Sequence, residues 1–328
     1  MTVTIGRREL LVALGGAAAL APLAASAQEP GRIYRLGVLV PTVSRQSPAV
    51  LAFFDELRHN GFVEGQNLTV IQGSFDVPND RLAGEAAALV KAAPDAIVAG
   101  PELPLRALQA VTRTIPLIGI VEDMVAARLV ASLARPGGNI TGISLLSPEL
   151  DGKRQDILME AVPGVRRMAA LADSNVTPTG HIQTLQEAAR ARGVELTMFG
   201  VAKLEDIEPT IDAAKASGAQ ALNFLACGLF FPVSRVVIER SAALRLPAIH
   251  HWPEAAEAGG LLAYGSRFTQ VWRQRARLVS KILRGDKPAD IPVEQPTNFE
   301  LVINLQAAKA IEHEVPAGLV LRADKVIE

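Results

Sequence analysis

The sequence predicts an α/β protein of two lobes, each a parallel β-sheet covered on both faces by helices. Short, continuous apolar runs alternate with longer amphipathic ones, as parallel strands buried on both faces require. The alternation runs once as far as residue 146 and then starts again. No apolar stretch beyond the first residues reaches the length of roughly 18 residues that spans a bilayer.

The elements follow in order. Residues 36–40 read as a strand and 49–59 as a helix closed by Asn60-Gly61. Residues 67–71 are a strand and 80–91 a helix. Strands at 96–99 and 116–121 flank a helix at 103–111, and a helix over 125–133 and a strand over 140–145 complete the first set. The second set opens with a helix at 151–161 and a strand at 167–172. Helix 179–192, strand 196–201, helix 204–216, strand 221–226, helix 232–244 and strands 248–250 and 261–264 follow. A long helix at 269–283 stops at Gly285-Asp286-Lys287-Pro288. Prolines extend residues 291–296, before a strand at 299–304 and a helix at 305–311. The expected organisation is a leader over 1–27, a first lobe over 28–146 with 266–293, and a second lobe over 147–265. The sequence leaves open which lobe holds 294–328. Chain crossings are expected near 146–150, 266 and 292–298.

The first residues read as an export signal. Arg7-Arg8 is a twin-arginine pair, and the apolar run from Leu10 to Leu23 is too short to cross a bilayer comfortably. Ala25-Ser26-Ala27 is a small-residue cleavage site, so the expected mature chain begins at Gln28 in the periplasm. Cys227 is the single cysteine. It leaves no internal disulfide and no lipidated cysteine at the cleavage point. Lys and Arg number 33 against 34 Asp and Glu, and no basic run offers a footprint for nucleic acid.

Catalytic and cofactor motifs are missing. The turn after the first strand is Val40-Pro41-Thr42-Val43-Ser44, without the glycines that a dinucleotide pyrophosphate needs. There is no Walker loop and no Gly-x-Ser-x-Gly elbow. Cys227 ends an apolar strand and reads as a buried thiol. His250, His251, Glu254 and Glu257 make a poor metal set: adjacent residues of a strand face opposite sides, and Pro253 breaks the helical spacing. No enzyme activity, cofactor or metal is expected.

In open parallel sheets, ligands bind beyond the carboxyl ends of the strands. That rule selects Thr42, Ser44, Glu102 and Asp123 in the first lobe, and Asn175, Phe230, Trp252, Glu254 and Tyr264 in the second. Hydroxyls and amides beside helix N-termini suit an anionic group, and aromatics suit a planar body. Thr42, Ser44 and Asn175 have a helix cap as their structural alternative, and Trp252 has core packing. Trp272, at helical spacing from Phe268 and Ala276, reads as core.

Longer phrases carry a resemblance. They include Asp55-Glu56-Leu57-Arg58 with Gly61-Phe62-Val63-Glu64-Gly65, and Thr112-Arg113-Thr114-Ile115-Pro116. Ala134-Arg135-Pro136-Gly137-Gly138-Asn139-Ile140-Thr141-Gly142, Pro288-Ala289-Asp290-Ile291-Pro292-Val293-Glu294-Gln295-Pro296 and Leu321-Arg322-Ala323-Asp324-Lys325-Val326 join them. The chain is similar, over essentially all of its mature length, to a bacterial family of ABC-transporter substrate-binding proteins that includes tryptophan/tyrosine-type binders. The resemblance implies a type I periplasmic-binding fold: two Rossmann-like lobes, a multi-strand hinge and a cleft. It implies delivery of an amino acid or a small aromatic or aliphatic carboxylate to an ABC permease; a monomer is the expected state, though the sequence leaves it open. An α-amine there would need an anion, Asp123 first, with Glu102 and Glu254 behind it. The chain departs from the family at Glu122-Asp123-Met124-Val125, where Asp-Pro-Val is usual, and at His250-His251-Trp252-Pro253-Glu254. Delivery to a membrane sensor, or catalysis on the same fold, are the alternatives.

Overall fold

The computed structural model describes residues 31–41, 43–71, 79–230 and 234–328. The expected leader and Thr42 lie outside the described residues. Ile33–Glu328 form one compact unit.

The first sheet has five parallel strands: β1 (Tyr34–Leu39), β2 (Leu68–Ile71), β3 (Ala96–Ala99), β4 (Leu117–Val121) and β5 (Ile140–Ser144), in the order β2-β1-β3-β4-β5. Their connections include helices α1 (Pro48–His59), α2 (Leu82–Lys91) and α3 (Glu102–Val111). Ser47 caps α1 by accepting the Val50 amide, and Pro48 takes the first turn, where its missing N–H costs nothing.

The second sheet has seven strands, in the order β12-β11-β10-β9-β8-β6-β7. They are β6 (Arg167–Asp173), β7 (Glu195–Val201), β8 (Ala221–Phe224), β9 (Ala248–His250), β10 (Leu262–Gly265), β11 (Glu300–Asn304) and β12 (Lys325–Ile327). All neighbours are parallel except β10 and β11. The helices of this half are α4 (Ser147–Ala161), α5 (Thr179–Ala191), α6 (Ile207–Ala216), α7 (Ser234–Ala243) and α8 (Pro253–Glu257), with α10 (Leu305–Ala310) and α11 (Ala317–Val320) near the C-terminus. The C-terminal strands thus extend the second sheet.

Between β10 and β11 the chain returns to the first sheet as α9 (Phe268–Leu283). Phe268, Trp272, Ala276 and Val279 of α9 share a core with Phe53 and Leu57 of α1 and with Leu36 and Val38 of β1. Each large side chain so buried contributes about 1.5–3 kcal/mol. The chain passes between the sheets at 145–146, at 266–267 and at 295–299. Glu294 bridges to Ile143 of β5 just before the last passage.

One expected helix is absent. Residues 125–128 form a turn, and 129–133 continue largely as bends rather than as a helix. Arg106 of α3 takes the Ala127 carbonyl at 2.7 Å, and the Ala131 amide bonds Pro136 instead. The bond that would carry a helix onward from Ala127 is therefore not made, and Arg128 turns the chain at φ 54°.

Candidate functional site

The carboxyl ends of the two sheets face each other across a closed cleft. Its inner part is a small chamber. The first half contributes Val40, Val43, Gly100, Pro101, Ile120 and Glu122, and the second contributes Ala226, Cys227, Gly228, His251 and Trp252. Phe268, Trp272 and Arg275 of α9 close it. The chamber encloses about 50 Å³. A water needs roughly 10–15 Å³ on this measure, so the closed chamber has room for a few waters. A larger guest enters only as the lobes part or side chains shift.

The lobes meet at one point without side chains to spare. A Cβ on Gly228 would lie 2.1 Å from Cγ of Pro101. Only glycine lets these two loops approach so closely.

Two charged groups stand out in the chamber. Glu122 follows β4 directly. Part of its side chain reaches solvent, but Oε2 is fully covered and has no hydrogen-bond partner. Burial pushes its pKa up to about 7; Glu102 and Asp173 add to the rise, while backbone amides, including that of Gly228, oppose it. Arg275 is 1% exposed. Its guanidinium lies 3.7 Å from the centre of the Trp272 ring, and Nη1 donates to the Ala99 carbonyl at 3.3 Å. Nε and Nη2 have no acceptor, and burial alone lowers its pKa to about 9, so it stays protonated at neutral pH. Burial holds His251 neutral with a pKa of about 3, and pushes the Cys227 thiol well up, so neither supplies a charge.

An outer, more polar part of the cleft encloses about 160 Å³ between Glu102, Asp123, Ser147, Asp151 and His181. Here Asp151 accepts from Arg154 at 2.6 Å, from His181 at 2.9 Å and from the Ala226 amide at 3.1 Å. Arg154 is the main cause that holds its carboxyl below the usual range, against a larger opposing effect of burial.

The residues expected from the strand-end rule divide into groups. Trp252 bounds the chamber and packs edge-on against Phe268 at 4.7 Å. Glu102 and Asp123 border the outer part. Glu102 is ion-paired to Arg106 at 2.6 Å, and Asp123 accepts the Val125 and Ala126 amides of its own turn at 2.9 and 3.0 Å. Phe230 and Glu254 line a hollow behind Trp252; Phe230 packs on Phe224, and Glu254 accepts the Phe268 amide at 3.0 Å. Ser44, Asn175 and Tyr264 line none of these spaces. Ser44 is exposed and accepts the Gln46 amide, Asn175 bonds Asp173 and the Ala202 carbonyl, and Tyr264 sits beside Phe299. Glu122 and Arg275 were not among the expected residues. The legible signal for Arg275 is a charge on the same helical face as Phe268, Trp272, Ala276 and Val279.

The fold and sequence have known counterparts. A family model described as ABC transporter substrate binding protein matches residues 44–327. The tyrosine-binding protein of Clostridioides difficile (strain R20291) is 23% identical over 265 residues, 79% of this chain and 75% of that protein. A conserved domain protein of Vibrio cholerae is 24% identical with a TM-score of 0.81, over 90% of this chain and 100% of that one. An ABC domain of Streptococcus pneumonia, solved in complex with L-Trp, is 22% identical with a TM-score of 0.76, over 89% of this chain and 100% of that one.

Proposed function

The chain belongs to the ABC transporter substrate binding proteins and has the two-lobed fold of type I periplasmic binding proteins; from that premise we propose that its interlobe chamber captures a small organic solute for an ABC importer. The observation that carries this reading is the chamber itself, whose walls come from the strand ends of both halves and from α9. The solute is an amino acid or a small aromatic or aliphatic carboxylate, a class supported by the tyrosine and L-Trp named for two of the similar proteins. In this reading Trp252 packs on the solute body, while Glu102 and Asp123 shape the outer mouth. The chain binds without catalysis, acts as a monomer and has no nucleic-acid partner. Its lobes are 28–146 with 266–293, and 147–265. Small-angle scattering on the protein titrated with L-tryptophan, L-tyrosine or phenylacetate tests capture. Binding is expected to shrink the radius of gyration as the hinge closes; an unchanged profile at saturation sinks it.

The protein works in the periplasm, exported by Arg7-Arg8 and cleaved after Ala27. No helix among the described residues is long and apolar enough to cross a membrane. Replacing Arg7 and Arg8 by Lys is expected to leave uncleaved precursor in the cytoplasm. Normal export of that variant rules out the twin-arginine route.

A further inference from the structure

Arg275 lies on the buried face of α9, where its neighbours at helical spacing are Phe268, Trp272, Ala276 and Val279. A helix that packs a core has no use for a guanidinium there unless the charge is matched. Two contacts fix its plane: the stack on Trp272 at 3.7 Å and the Nη1 bond to Ala99 at 3.3 Å. The opposite edge, made by Nε and Nη2, has no acceptor, and neither has Nε1 of Trp272. Both side chains line the chamber. Three unanswered donors therefore belong to side chains that line one small space; among the described residues none accepts from them, and Glu122, the carboxylate on the same wall, bonds none of the three. Folding does not recover the desolvation of such an edge; an oxyanion brought in from outside does.

The shape of the edge narrows the guest. Nε–H and Nη2–H point in parallel and match the two oxygens of a carboxylate, the bidentate geometry that a lysine cannot offer. We infer that Arg275 recognises the carboxylate of the solute, so that the ligand is a small organic acid whose apolar or planar body lies against Trp252 and Phe268. The assignment rests on the capture reading above. It moves acid recognition from the strand-end side chains to the helix that returns from the hinge. Ser44 and Asn175 are already engaged in local bonds.

Calorimetry with matched acids and amides tests it. The pairs are hexanoate and hexanamide, phenylacetate and phenylacetamide, and L-phenylalanine and L-phenylalaninamide, each titrated into the full folded chain. The wild type is expected to bind at least one acid roughly tenfold or more tighter than its amide. Arg275→Met keeps an apolar stem and removes the fork. It is expected to bring that ratio to within about twofold while the thermal midpoint holds or rises. If the Met variant does not fold, Arg275→Lys carries the test: charge without the fork must lower the ratio by about threefold or more. A variant that keeps the wild-type ratio overturns the assignment and leaves capture standing. So does a wild-type protein that binds only the amides, or only a neutral component of a small-molecule cell extract. If neither the pairs nor the extract yields any binding, capture itself fails, and the assignment with it.

Discussion

Among the described residues, two arginines, one in each half of the molecule, are the largest fully buried side chains, and they are buried on opposite terms. Arg154 of α4 is 1% exposed and meets Asp151 at 2.6 Å and the Tyr264 carbonyl at 3.0 Å. Asp151 is in turn shared with His181 and the Ala226 amide. Arg275 of α9, equally buried, meets one carbonyl and a ring face. The first charge carries its counter-charge within the fold and ties α4 to β10 and to the loop after β8. The second has been taken out of water without one. Burial alone therefore does not single out a charge as functional; what distinguishes Arg275 is burial without a counter-charge on the wall of a cavity.

The same substitution at both sites separates the two. Arg154→Met strands Asp151 with only His181 and an amide, and is expected to cost about 3–5 kcal/mol in urea unfolding, read as a lower midpoint at unchanged slope. The next effect in size concerns Glu122, the carboxyl that lines the same chamber without pairing Arg275. Its folded pKa of about 7 lies above the ordinary 4.5, so the folded state holds a proton that the unfolded state has lost between those values. Stability should fall as pH rises from about 4.5 to 7, by roughly 3 kcal/mol in all. His250 and His251, held neutral by burial at about 4 and about 3, act in the opposite direction below pH 6.5. The measurement is therefore the difference between wild type and Glu122→Gln across pH 4–8. A flat difference removes Glu122 from the set of buried, unmatched charges. Arg275→Met is the smallest effect and opposite in sign to Arg154→Met: unchanged stability, or a gain on the order of 1 kcal/mol. Equal losses at the two arginines would erase the contrast.

The fold was legible wherever a short run was apolar throughout or a longer one amphipathic. The strand at 96–99 coincides with β3, because Ala96, Ile97, Val98 and Ala99 are all apolar and all inaccessible. Residues 125–133 misled because a long-range bond decided them: Arg106 of α3 captures Ala127, and no local propensity encodes that. Helix α8 is too short to show a period, and β12 begins with the exposed Lys325. Of the residues the strand-end rule selected, Trp252 borders the chamber and Glu102 and Asp123 border the outer part of the cleft. It passed over Glu122, although Glu122 is the first residue beyond β4, because its neighbour Asp123 has the form of a ligand. In the structure the Asp123 carboxylate accepts two amides of its own turn. Arg275 comes from a helix rather than from a strand end, so no rule about sheets could select it. Its signal was a single charge set on an apolar helical face.

The contact between Gly228 and Pro101 has a consequence for how tightly the molecule holds its solute. Apparent affinity is the intrinsic affinity multiplied by the fraction of molecules in the competent arrangement. Where two loops touch with no room for a methyl group, that fraction is set by backbone approach rather than by any ligand contact. On the capture reading, residue 228 is expected to act as a stop on the hinge. A single carbon there is expected to prop the jaws apart and to weaken every solute by the same factor, leaving the order of preference to the residues proposed to touch the solute. Strength and selectivity of capture can thus drift independently as the sequence changes.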